Sequence, residues 1–215
     1  MTTEIRAYPK PKALPTSLAL AFDAFSSTQV IAGKTWDFSP AVSLLDASNQ
    51  AIQLDESLSF SIRLNVYSDS SCQSPISNLA TIGFSSASGT TVKTSNSKAS
   101  FADLKITKAG DYYLGAEADG LAQACSARVR VLPDVASKLQ FTKPDDLTNL
   151  QAGDCAGPLS IQANDQWDNP SLVSALTSIS TSGLGHGVFY ADANCSVGQE
   201  LYSLSLDPSQ GSRTL

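Results

Sequence analysis

The residues of this chain that could do chemistry are four cysteines, one histidine and a scatter of aspartates. Cys72, Cys125, Cys155 and Cys195 form no CxxC pair. A zinc site would show short-spaced Cys or Cys/His pairs, and the single histidine, His186, stands apart from all four. Isolated cysteines on Ser-rich segments suit two disulfides, and so an oxidising compartment; the alternative is four buried thiols. His186 lies in Gly183-Leu184-Gly185-His186-Gly187, a turn-like stretch. A Ser-His-Asp nucleophile system would need its histidine on a scaffolded strand end beside an oxyanion hole. Paired acid–base work needs burial to split two carboxyl pKa values, whereas these aspartates sit in turns, where Asp caps the backbone. No Gly-rich loop precedes a helix to cradle a phosphate. An enzyme is therefore not expected.

Two binding chemistries stay open. Asp145, Asp146, Asp154, Asp165 and Asp168 surround the middle of the chain, and calcium takes six to eight oxygen ligands. Asp145, Asp146, Asp165 and Asp168 are thus candidate calcium ligands, the one cofactor worth testing, although their spacing matches no EF-hand. Trp167, Asp168 and Asn169 form a polar turn with an aromatic that is expected to be exposed, a contact for a glycan or a cell-surface protein. Trp36 fits a buried core position.

The elements that must carry these residues read as strands. Charged residues are 16% of the chain against about 25% in typical domains, and only four of the acidic residues are Glu. Thr, Ser and Asp suit strand faces and turns, so composition tilts to all-β. The length of 215 residues fits two sandwich modules of roughly 100 residues each. A net charge of −6 disfavours nucleic acid and anionic membrane surfaces. No apolar run reaches the 18 residues of a membrane-spanning helix. Residues 1–12 lack the apolar centre of a signal peptide, so any export signal is expected to have been removed.

An internal repeat sets the organisation. Val30-Ile31-Ala32-Gly33-Lys34 and the turn Asp46-Ala47-Ser48-Asn49-Gln50 are followed by Val66-Tyr67-Ser68-Asp69-Ser70-Ser71-Cys72. Later, Leu150-Gln151-Ala152-Gly153-Asp154 and the turn Asp165-Gln166-Trp167-Asp168-Asn169-Pro170 precede Phe189-Tyr190-Ala191-Asp192-Ala193-Asn194-Cys195. Repetition at this spacing marks one domain used twice. Strands are expected in the first copy at 18–25, 38–45, 58–66, 79–84, 100–106, 111–116 and 126–132. Gly110-Asp111-Tyr112-Tyr113-Leu114 has the form of a tyrosine corner with Tyr112 as its tyrosine; the alternative is a plain exposed aromatic. Pro133 cannot donate to a ladder and ends the last strand.

The resulting division is an N-terminal extension at 1–15, a sandwich at 16–133, a short linker at 134–137 and a second sandwich at 138–215. The linker is too short for free tumbling, so a semi-rigid rod is expected. Module one runs on for about 60 residues past Cys72, whereas 20 follow Cys195, so the second sandwich lacks a counterpart of 104–131. A longer repeat protein, a strand donated by another chain and a shorter module would each explain this; the first is favoured.

This pattern resembles the immunoglobulin-like repeats of large bacterial surface and adhesin-type proteins. The likeness rests on Ala152-Gly153-Asp154-Cys155, on Ile161 to Asp165, on Asn169-Pro170 and on Phe189 to Cys195. It covers about 80 C-terminal residues closely. Module one matches more loosely, through 101–112 and 118–121. In that family the two cysteines of the repeat are bonded, which implies Cys155–Cys195 here. Module one departs from the pattern, with Thr35-Trp36 near the position of Cys155, and Cys72 is therefore assigned to Cys125.

The reading is all-β: two tandem immunoglobulin-like sandwiches, the second without its last strands. The resemblance implies an extracellular, cell-surface or periplasmic structural or adhesive segment with neighbouring repeat modules as partners. A carbohydrate-binding accessory region, or a fibre subunit donating a strand from residues 2–13, are the rival functions.

Overall fold

The computed structural model describes residues 19–23, 28–52, 59–143, 151, 153–181, 187–209 and 211–214. The expected extension at 1–15, the arm at 2–13, Asp145, Asp146 and His186 lie outside them.

Module one is a two-sheet sandwich. Strands β1 (Ala19–Phe22), β3 (Ala41–Leu45) and β6 (Lys98–Ser100) make one sheet in the order β1-β3-β6. The other takes β2 (Thr28–Ile31), β4 (Ser61–Tyr67), β5 (Thr91–Lys93), β7 (Gly110–Glu117) and β9 (Val129–Leu132) in the order β2-β9-β7-β4-β5, with the short β8 (Ala124–Cys125) on β7. Alternation explains which residues face inward. In β4, Ile62, Leu64 and Val66 are fully buried while Ser61 and Arg63 face water. Tyr112, Leu114 and Ala116 of β7 and Val129 and Val131 of β9 close the same core, with Phe101, Leu104 and Ile106 between the sheets. The order β9-β7-β4 facing β1-β3-β6, with β5 added beside β4, is the immunoglobulin-like arrangement. Tyr112 completes it: its hydroxyl donates to the Lys108 carbonyl at 3.1 Å, the tyrosine corner.

Two strand expectations need correction. Residues 79–84 hold a single turn of 3-10 helix, Leu79–Ile82, because Asn78 caps it through the Ala80 N–H and Gly83, at φ 60°, ends it. The strand expected at 100–106 stops at Ser100; beyond it Lys105 makes only an isolated bridge to Ser85.

Five strands of the second module repeat strands of the first. β10 (Lys138–Lys143), β11 (Ser160–Asn164) and β14 (Ser212–Thr214) pair in the order β10-β11-β14, matching β1-β3-β6. Leu139 faces Ala163 as Leu20 faces Leu44. β12 (Thr177–Ser180) and β13 (Ser203–Leu206) pair as β4 and β5 do. Among the described residues nothing corresponds to β7, β8 or β9. The consequence is visible at one register position: Leu20 is 7% exposed and Leu139 is 46% exposed. The buried core here is small, centred on Ala163, Val173 and Leu206.

Candidate functional site

Among the described residues, the turn after β11 is a built polar constellation that reaches across from one module to the other. Asp165 organises it, as an aspartate at the head of a turn does, by accepting from backbone N–H groups further on. Its Oδ1 accepts from the N–H groups of Trp167 (2.8 Å) and Asn169 (2.9 Å). Its Oδ2 accepts from Asn169 Nδ2 (2.8 Å) and from the N–H of Asp134 (2.9 Å). The residue is 0% exposed. Burial pushes its carboxyl up, but the hydrogen bonds from Asn169, Asp134 and Trp167 outweigh that and hold it below the ordinary carboxylate value. Asp168 takes the left-handed conformation that closes the turn, φ 62°.

This turn docks on module one. Asn169 is buried, and its carboxamide reads backbone: Nδ2 donates to the Thr107 carbonyl at 2.7 Å and Oδ1 accepts from the Ala109 N–H at 2.9 Å. The Lys108 ammonium donates to the Trp167 carbonyl at 2.7 Å. The Trp167 indole lies over Gly33, where a Cβ would come within 2.1 Å of Nε1, and the ring packs against the core of module one. Gly33, at φ 73°, is thus required both by its backbone and by the ring above it. Two ion pairs flank the joint: Lys34 with Asp134 at 3.4 Å, and Lys138 with Asp168 at 2.6 Å. The tyrosine corner supports the receiving side, because Tyr112 fixes the carbonyl of Lys108 between the two atoms that Asn169 reads.

The expectation of an exposed Trp167–Asn169 contact surface is therefore corrected. Trp167 is half-buried and Asn169 buried, both committed to module one; only Asp168 stays largely in water, paired with Lys138. The calcium expectation fails at Asp165 for a stated reason: four N–H donors already fill its two oxygens. Asp168 is engaged by a lysine, and no group of three or more candidate ligands gathers among the described residues. Trp36 is buried and stacks on Phe38 at 5.3 Å between ring centroids.

The cysteines form Cys72–Cys125 and Cys155–Cys195. Cys72 and Cys195 are repeat equivalents with the same left-handed backbone, φ 52° and 51°, each a few residues beyond a tyrosine. Their partners differ: Cys72 reaches β8, whereas Cys195 reaches the segment before β11.

No family model matches the sequence, and no curated protein is close enough to it to count as a relative. Among solved structures the chain is similar to InvD of Yersinia pseudotuberculosis, at 14% identity and TM-score 0.36, covering 95% of this chain and 54% of that one. It is also similar to murine CEACAM1b, at 11% identity and TM-score 0.21, covering 89% and 85%. The chain spans about half the length of the InvD structure. Likenesses this distant add nothing to the fold assignment, which stands on strand order and the tyrosine corner.

Proposed function

We propose that this chain is a non-enzymatic spacer segment of an extracellular surface protein, in which immunoglobulin-like modules follow one another at a fixed angle. The observation that carries the reading is the joint. A flexible tether needs no buried side chain at the boundary, yet here Asn169 and Asp165 are buried at it and Trp167 is packed across it. Two disulfides support an oxidising compartment. The likeness of residues 152–195 to bacterial surface repeats supports a place on the cell exterior. A spacer's partners are its neighbouring modules, together with whatever cell-surface protein or glycan the complete molecule reaches. No helix among the described residues is long and apolar enough to cross a membrane.

The test is accessibility on intact source cells. An antibody raised against the folded chain should stain unpermeabilised cells, and external protease should remove the signal. Staining that requires lysis would overturn the surface assignment.

A further inference from the structure

Module one carries the same turn as module two, at the position the repeat dictates. Asp46 N–H donates to the Gln50 carbonyl (2.9 Å) and Asn49 N–H to the Asp46 carbonyl (3.0 Å). Asp46 Oδ1 accepts from the N–H groups of Ser48 (2.8 Å) and Gln50 (3.0 Å). Asn49 closes it at φ 57°. Each of these contacts has its twin: Asp165 N–H to the Asn169 carbonyl, Asp168 N–H to the Asp165 carbonyl, and the same two N–H groups on Asp165 Oδ1. Building the turn therefore requires only the aspartate at its head and a fourth residue that tolerates the left-handed region. The third side chain takes no part in it, and the fifth adds a contact only in module two, where Asn169 Nδ2 also donates to Asp165 Oδ2.

The copies share only the leading aspartate, and of the positions that differ the third and fifth are the ones whose side chains reach module one. Module two has Trp167 and Asn169, which make the joint; module one has Ser48 and Gln50, and both are exposed. Serine offers no ring to cover a glycine. Glutamine carries its carboxamide one methylene further out, beyond the spot from which Asn169 reaches Thr107, Ala109 and Asp165 together. The receiving surface of module one is read mostly through backbone, at Gly33, Thr107 and Ala109. Selectivity must then lie in the incoming turn.

We propose that Trp167 and Asn169 are the docking determinants between modules, so that the Gly33 face accepts an Asp-x-Trp-x-Asn turn from the module that follows. Module one, with Ser48 and Gln50, is locked to its successor but presents no docking turn to a module placed before it. The interface is thereby directional. This concerns the joint alone and stands or falls apart from the cellular location of the chain.

The direct test transplants module one's own residues into the joint, as Trp167→Ser with Asn169→Gln in the full chain. Because Ser48 and Gln50 sustain the same turn, the swap removes docking without removing the fold of the turn. Residual dipolar couplings of the unaltered chain should fit one alignment tensor across both modules. In the double variant each module's couplings should still fit, but only with two separate tensors. A single tensor in the variant would overturn the proposal. Should the variant fail to fold, the reciprocal experiment decides: a second copy of residues 16–137 is placed ahead of the full chain, with Ser48→Trp and Gln50→Asn in the module that follows it. The new junction should share one tensor with these substitutions and lose it without them; equal behaviour of the two would refute directionality.

Discussion

Replacing Asn169 by alanine removes three hydrogen bonds at once, to Thr107, Ala109 and Asp165. Each is worth about 1 kcal/mol net, and a buried group left without a partner costs about 1–3 kcal/mol. The two deserted backbone groups belong to module one, so water can satisfy them only if the joint opens. The bond to Asp165 lies within module two and does not cross the joint, so opening caps the penalty near the sum of the other two, about 2 kcal/mol, or roughly thirtyfold in the open–closed equilibrium. Hydrogen exchange reads this directly, because the Ala109 N–H has Asn169 Oδ1 as its acceptor. Its protection should fall by about thirtyfold in Asn169→Ala. The Leu64 N–H, bonded to the Thr90 carbonyl inside module one, should keep its protection. Unchanged exchange at Ala109 would refute the clamp, and equal loss at Leu64 would show that the variant acts on the whole fold instead.

Three further outcomes follow from named contacts. Gly33→Ala drives a methyl into the Trp167 ring and strains a φ of 73°, so it should undock Trp167 and shift indole emission to the red, with module one's far-ultraviolet dichroism intact; an unshifted spectrum would contradict the packing. Removing the Cys72–Cys125 bridge, 53 residues apart, by paired Cys→Ala substitution should cost about 4 kcal/mol of module-one stability in denaturant, by loop-closure entropy. The Asp165 carboxyl is held below its ordinary value in the folded chain, so its contribution is present above the unfolded pKa of about 4 and is lost as pH falls below it. Tryptophan emission should therefore report undocking on acidification below about pH 4, and undocking on raising the pH would contradict that sign.

How much of this could be read from residues differs by scale. Strands with clear alternation, such as β4 and β7, stand out in the sequence because one face is buried by a nearby partner. The short β2 does not, since Thr28–Ile31 pairs in parallel with Val129–Leu132 about a hundred residues away and local pattern carries no trace of that. The turn at 79–82 carried legible signals, Asn78 before it and Gly83 after it, which an apolar run outweighed. Tyr112 was readable because its corner is a local contact, reaching back only to Lys108. The joint was not. A tryptophan in a polar turn reads as exposed when the surface that buries it lies 134 residues earlier at Gly33. What could have signalled it is the repeat itself, in which the turn is kept while Ser48 becomes Trp167 and Gln50 becomes Asn169.

The claim that the two modules move as one is tested most directly by backbone ¹⁵N relaxation on the unaltered chain. Amides on β4 and β7 and those on β11 and the Asp165 turn should share a single overall rotational correlation time, consistent with one anisotropic body. Two shorter, independent correlation times, one per module, would contradict it.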